Sequence, residues 1–183
     1  LIVVEGVDGS GKSTLCSWIT DNFGLRMGQR SIKNRDEIYR TTRLDTWRAV
    51  YRELACNHPP LVWDRLGPFS DPIYAASGIP HERYGSFTSN EIEMFDHIAR
   101  AVALVIVCVP PLQTVMDNLT NTHQLDRVIE KTPDIYAYYL QLADEYNEYD
   151  YTRDHPSVLT PLIAEYLYSR REREELAAHT RQL

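Results

Sequence analysis

The chain has 183 residues with 19 Lys plus Arg against 26 Asp plus Glu, a net charge of −7, so no general attraction draws it to nucleic acid or to an anionic membrane. With 43% hydrophobic and 25% charged residues it has the make-up of an ordinary globule, and its length suits one domain, residues 1–183, whose core needs no staples. Three cysteines, Cys16, Cys56 and Cys108, far apart in apolar settings, read as buried free thiols of a reducing, cytoplasmic setting, which excludes a disulfide scaffold or a zinc site.

Taken in chain order, short β-branched runs alternate with longer helical patterns, the signature of βα units around a parallel sheet. Leu1–Glu5, apolar without alternation, is a first strand buried on both faces and is too short for a signal-peptide core. Because the chain opens on Leu rather than Met, a few residues are expected ahead of it. Ser13–Phe23 reads as a helix, with Leu15, Trp18 and Ile19 on one face and Gly24 as its stop. A second short strand is expected at Arg30–Lys33, then a helix over Thr42–Cys56 ended by His58-Pro59-Pro60. Leu61-Val62-Trp63 is a third strand, closed by Asp64. A short helix over Asp71–Ser77, a turn-rich loop over His81–Thr88 and a helix over Asn90–Ala101 with Ile92, Phe95 and Ile98-Ala99 inward come next. Val102–Val109 is a central, fully buried strand, and the longest apolar run, Ala101 to Val109, is too short to span a bilayer. Pro110–Leu119 is a helix with Pro in its first turn, Thr120–Thr132 a polar break, and Pro133–Tyr146 a helix carrying Ile135, Tyr138-Tyr139 and Leu142. Glu148–Thr152 is a short last strand and Val158–Leu176 a final helix whose Arg170–Glu175 charge run is a solvated end. There is no internal repeat, low-complexity segment or linker.

Gly6-Val7-Asp8-Gly9-Ser10-Gly11-Lys12-Ser13 satisfies the phosphate-loop pattern GxxxxGK[ST], between a strand and a helix. Glycines let successive backbone N–H groups turn toward one anion, and the helix N-terminus adds partial positive charge. Gly6, Gly9, Ser10, Gly11, Lys12, Ser13 and Thr14 are thus the candidate ATP-binding residues, Lys12 reaching the β- and γ-phosphates and Ser13 binding Mg²⁺. The third strand delivers Asp64 to the sheet's C-terminal edge, where it would hold Mg²⁺ through water or deprotonate an acceptor. Arg65 follows, a planar fork suited to a phosphate.

The stretch Glu5-Gly6-Val7-Asp8-Gly9-Ser10-Gly11-Lys12-Ser13-Thr14 resembles the phosphate loop of thymidylate kinases, which run EGxDGxGKST, and Asp64-Arg65 resembles that family's DR pair. Ser70-Asp71-Pro72-Ile73-Tyr74 is similar to the Ser…Tyr segment that follows the pair, also in phage-type and nucleoside-kinase-like relatives, and Gln124 to Glu130 is similar to a mobile lid with an LDRIE-like setting. The match spans roughly residues 1 to 155. The resemblance implies a three-layer α/β sandwich on a parallel sheet of about five strands, with a lid near residues 120–132 and a homodimer formed through the Asn90–Ala101 helix. It implies that Asp8 accepts a hydrogen bond from the acceptor sugar's 3′-hydroxyl. It also implies that Arg127, with Lys131 as the lesser candidate, supplies the transition-state cation that some members carry inside the loop, where this chain has Gly9.

Several positions depart from the family. Lys33-Asn34-Arg35-Asp36-Glu37 stands where the family has Arg-Glu-Pro, so Arg35 is the equivalent phosphate-gripping residue, and Tyr74-Ala75 replaces the base-contacting Tyr-Gln pair. Trp47, Tyr51 and Phe69 are candidate stacking partners for the base, and His81, His97, His123 and His155 show no metal-ligand spacing. The expected activity is transfer of the ATP γ-phosphate to a deoxynucleoside monophosphate, dTMP first, since a monophosphate acceptor needs cations such as Arg65 rather than a base. The alternatives are a deoxynucleoside kinase using Asp64 as base, and a phosphate-loop ATPase or GTPase without a small-molecule acceptor; the guanine-reading Asn-Lys-x-Asp motif is absent from the sequence.

Overall fold

The computed structural model describes residues 1–28, 51, 59–78, 89–120 and 126–180. At its centre is a five-stranded, all-parallel sheet in the order β2-β3-β1-β4-β5, built from β1 (Ile2–Glu5), β2 (Arg26–Met27), β3 (Leu61–Asp64), β4 (Leu104–Cys108) and β5 (Asn147–Tyr149). Every residue of β1 and β4 is buried, as unbroken apolar runs demand when helices cover both faces. Register sets Val3 beside Trp63 and Val105, and Val4 beside Asp64 and Ile106, so the C-terminal ends of β1, β3 and β4 meet along one edge.

The two faces carry separate cores. On one, Ile2, Val4, Ile106 and Cys108 pack against Leu15, Cys16 and Ile19 of α1 (Lys12–Phe23) and Ile163 of α6 (Thr160–Thr180). On the other, Val3, Val105 and Val107 pack with Phe69 and Ile73 of α2 (Gly67–Ala76), Val115 of α4 (Leu112–Thr120), and Ile135 and Tyr139 of α5 (Asp126–Glu145). Helix α3 (Ser89–Val102) packs on α2. The three-layer parallel α/β architecture is thus the one expected from the sequence. Among the described residues no helix is long and apolar enough to cross a membrane.

Several boundaries differ from the expectation, each for a local reason. The Arg30–Lys33 strand, the His81–Thr88 loop and all of the Thr42–Cys56 helix except Tyr51 lie outside the described residues, and β2 itself is earlier, at Arg26–Met27. Helix α2 begins at Gly67 rather than Asp71, with Pro68 in its first turn and Pro72 inside it. Pro72 lacks the N–H that would bond the carbonyl of Pro68, and Arg100 of α3 donates to that carbonyl instead, Nη2 to O at 2.8 Å. Val102 belongs to α3, whose hydrogen bonding runs on through Ala103 N–H to Ala99 O, so the central strand starts at Leu104. Pro110 is not helical, since a residue before proline is steered away from helical geometry; Pro111 instead accepts the first bond of α4, from Val115 N–H. Helix α5 starts at Asp126, seven residues before the expected Pro133, which it carries in its interior, so residues 126–132 of the expected polar break are helical. Strand β5 stops at Tyr149 because Asp150 Oδ1 accepts from the Thr152 N–H at 2.9 Å and hydroxyl at 2.7 Å, turning the chain. Arg170 is not solvated but buried, and pairs with Glu174, whereas Arg171 and Glu175 beside them are exposed.

Candidate active site

The loop between β1 and α1 wraps the sheet's C-terminal edge. Gly6, Gly9 and Gly11 all have φ in the left-handed range, at 141°, 80° and 84°. At Gly6 a Cβ would sit 2.6 Å from the Cys108 carbonyl of β4, and at Gly11 one would sit 2.8 Å from the Tyr151 ring, so backbone and neighbours approach too closely for any side chain. Gly11 caps α1. Above the loop lies a cleft of about 1220 Å³, whose walls include Asp8, Gly9, Gly11, Lys12, Ser13, Thr14, Asp64 and Arg65. That exceeds the roughly 300–1,000 Å³ of a site for one drug-sized ligand. Gly6 and Ser10 lie beneath the loop rather than in the wall: Ser10 N–H is spent on the Val7 carbonyl at 3.2 Å, and its hydroxyl is buried without a hydrogen-bond partner among the described residues.

Lys12 folds back, its Nζ donating to the Val7 carbonyl at 2.8 Å. Burial, and then the charge of Arg65, push its pKa down to about 8, against the pull of Asp8 and Asp64. Ser13 Oγ donates to Asp64 Oδ2 at 2.7 Å, bringing together two residues 51 apart in sequence. A hydroxyl and one carboxylate at the mouth of a phosphate loop are hard oxygen donors, and magnesium characteristically takes one or two protein oxygens and completes its shell with water and substrate phosphates. The donor set therefore fits that ion, and no cluster of three or more His, Cys, Asp or Glu among the described residues offers another metal a cage.

Arg65 is the only non-glycine residue among those described with positive φ, at 65°. The corner is held from several sides. Arg65 N–H donates to Val4 O at 2.9 Å, and Leu66 N–H donates to Glu5 Oε1 at 2.7 Å. The guanidinium donates through Nε and Nη2 to Gly6 O at 3.1 and 2.9 Å, pairs with Asp8 at 2.8 Å, and lies 5.3 Å from the Tyr74 ring centre. Burial works against the guanidinium's charge, but Tyr139, Tyr74, Asp8 and Glu5 together raise its pKa, so it stays cationic.

Four sequence-predicted residues fall elsewhere. Phe69 is a core residue, 1% exposed, edge-on to Tyr146 and under Arg100, so neither face is open to a base. Tyr74 buttresses Arg65 instead of lining the cleft. Tyr51 is exposed on a helix, and Lys131 is exposed and pairs with Asp134. Arg35, Trp47, Cys56, His81 and His123 lie outside the described residues, and of Arg127 the structure gives its place in the first turn of α5. Cys16 and Cys108 are buried free thiols, as expected. His97 is exposed, and His155 is exposed at the cleft rim.

Sequence reasoning missed several participants. Glu5 is fully buried beneath the loop, accepting from Leu66 N–H and, at 3.2 Å, from the Tyr139 hydroxyl. Burial raises its pKa to about 7, against the lowering effect of the Leu66 N–H, Arg65, Lys12 and Tyr139. An acid ending an apolar strand was the available signal. Asn118 donates to Gly9 O and to the Tyr151 hydroxyl, both at 2.8 Å, tying α4 and the segment after β5 to the loop. No local pattern announces a link between residues so distant.

No family model and no curated protein matches the sequence. Among solved structures, deoxyadenosine kinase from M. mycoides, with products dCMP and a flexible dCDP bound, is similar at TM-score 0.50 and 15% identity, over 92% of this chain and 98% of that one. The YorR protein from Bacillus subtilis, in complex with phosphorylated GDP, is similar at TM-score 0.50 and 14% identity, over 82% of this chain and 84% of that one. The phosphate-loop kinase fold expected from the sequence is thus the fold of the chain.

Proposed function

We propose that the chain is a nucleotide kinase that transfers the γ-phosphate of ATP to a deoxynucleoside monophosphate, with dTMP the first candidate. The observation that carries this reading is the convergence of Lys12, Ser13 and Asp64 on one edge of the sheet with Asp8 and Arg65 immediately alongside. A hydrolase needs only the first three; a guanidinium in the same cleft suits an anionic group on a second substrate, and the carboxylate beside it suits a hydroxyl of that substrate.

In this reading Lys12 leaves the Val7 carbonyl for the β- and γ-phosphates, and the loop amides hold the polyphosphate. Ser13 and Asp64 hold Mg²⁺, which when bound neutralises charge on the transferring group. Arg65 grips the acceptor phosphate, Asp8 receives the sugar hydroxyl, and Arg127 contributes lid charge; Arg35 and Trp47 complete the acceptor side. Catalysis then rests on alignment and charge neutralisation.

A deoxynucleoside acceptor is the second reading. The Asp64 carboxylate at the edge of the cleft favours it, because an alcohol must lose a proton that a monophosphate lacks. The solved deoxyadenosine kinase shares the fold, which fits this reading equally well. ADP release measured across deoxynucleosides, their monophosphates and no acceptor decides between them. Turnover that requires a monophosphate supports the first reading, and turnover of thymidine with none of dTMP moves the assignment to the second. ADP release indifferent to any acceptor would identify a hydrolase.

A further inference from the structure

We propose that Glu5 is a positioning residue for the phosphoryl acceptor, acting through Arg65, an inference that rests on the transfer reading above. Arg65 is held at φ 65°, a conformation that a residue with a side chain enters only where its surroundings keep it there. Two consecutive backbone N–H groups do the holding. That of Arg65 reaches a backbone oxygen of β1, Val4 O at 2.9 Å, whereas that of Leu66 reaches a side chain, Glu5 Oε1 at 2.7 Å. The left-handed residue thus lies between one peg from the sheet and one peg from a carboxyl.

A glutamate is a costly choice for that place. Glu5 ends a strand whose residues are all buried and is itself 0% exposed, and keeping a carboxyl dry works against the fold, as its raised pKa records. An apolar residue there would join the core. What the carboxyl supplies instead is an acceptor for Leu66, the cap residue ahead of α2, whose buried N–H loses this partner without it. The second oxygen is fixed as well, since Oε2 accepts from the buried Tyr139 hydroxyl of α5 at 3.2 Å. Glu5 is therefore held by one helix while it holds the start of another.

The corner aims the guanidinium. With the backbone left-handed, the side chain lies back over the phosphate loop, where Nε and Nη2 reach Gly6 O and Nη2 reaches Asp8. Released at Leu66, the corner relaxes toward the ordinary right-handed or extended regions, the Cα–Cβ bond swings, and the fork leaves Gly6 O, Asp8 and the cleft wall. An acceptor phosphate then meets the fork only in the fraction of molecules that keep the corner, and its apparent affinity falls with that fraction.

The test uses the intact protein and an acceptor found by the ADP-release panel. Glu5→Leu fills the space without offering an oxygen, and should raise the acceptor KM about tenfold with kcat and the ATP KM unchanged; Glu5→Gln, which keeps an oxygen for Leu66 N–H, should stay near wild type. In an Arg65→Ala background, where the fork is already gone, Glu5→Leu should add nothing to the acceptor KM. A merely structural role would spread its loss over both substrates and persist without the fork. The Arg65 Nε–H resonance, assigned by its loss in Arg65→Ala, should exchange slowly with solvent in the free protein and rapidly in Glu5→Leu. Tyr139→Phe, a milder change, should also speed that exchange and raise the acceptor KM about 2- to 3-fold, and it serves as the deciding variant if Glu5→Leu does not fold. An acceptor KM indifferent to these changes, a rise shared equally with ATP, or a penalty that persists in Arg65→Ala overturns the proposal and leaves the transfer reading standing. Turnover of no acceptor removes both.

Discussion

Two ionisable groups beneath the phosphate loop sit far from their ordinary ranges, and each gives a prediction. Lys12, lowered to about 8 by burial and by Arg65, is partly neutral in mildly alkaline solution while its hydrogen-bond partner among the described residues is a carbonyl. A triphosphate raises that pKa, so binding below pH 8 finds the lysine already charged, and binding above it must take up a proton. Nucleotide affinity should therefore be flat up to about pH 8 and weaken above it, approaching tenfold per unit. Calorimetry in buffers of different ionisation enthalpy reads the proton directly, and Lys12→Arg should abolish the uptake. Glu5 moves the other way, from 4.5 to about 7. The folded chain keeps its proton where the unfolded chain has lost it, so raising the pH from 4.5 through 7 removes stability, on the order of 3 kcal/mol in total. Glu5→Gln still accepts from Leu66 N–H and should show a flatter stability over that window in urea unfolding at pH 5 and pH 8. Residue identity alone pointed to Lys12, Ser13, Asp64 and Arg65. It did not show that Arg65 would turn its fork on Asp8 and Gly6, because that depends on a left-handed backbone at position 65 that no residue preference announces.

At the scale of elements, the joints between helices hold the site's supports. Arg100 joins α3 to α2 by meeting the Pro68 carbonyl that Pro72 leaves open, and its guanidinium lies 5.3 Å from the Phe69 ring centre. Arg100→Ala should cost about 1–3 kcal/mol, measured by chemical denaturation, through an unmet carbonyl and the lost stacking. Pro68→Ala in the same background should not restore it, since the open carbonyl is the backbone's. The strands were the most legible elements, because Leu1–Glu5 and the run before Cys108 are apolar without interruption and can only be interior strands. Helix starts were less so. Prolines at 72, 110 and 133 look alike in sequence, yet one lies inside α2, one ahead of α4 and one inside α5, and which occurs depends on whether a distant donor or buried neighbours such as Thr132 and Ile135 hold the turn. The end of β5 is not legible in the sequence, because an aspartate that turns the chain and an aspartate that merely ends a strand have the same letter.

For the whole molecule, the parallel order β2-β3-β1-β4-β5 makes β1 the switch point, so the cleft opens where the loop leaves it, with one arm toward β3 and β2 and the other toward β5. Ligand that engages this edge joins elements from both halves of the chain and must stabilise the fold by mass action. At a hundred times its dissociation constant, ATP with magnesium should add about 2.7 kcal/mol and raise the melting temperature by roughly 5–10 °C. Lys12→Ala should lose most of that shift in a thermal melt. The central claim is that a phosphoryl group crosses this cleft from one ligand to the other. Phosphorus NMR of ATP, magnesium and an acceptor found by the ADP-release panel follows that group itself. The account predicts that the γ-phosphorus signal disappears from ATP and reappears on the phosphorylated acceptor, with no inorganic phosphate, and only in the acceptor's presence; inorganic phosphate accumulating alone, with the acceptor unchanged, would contradict it.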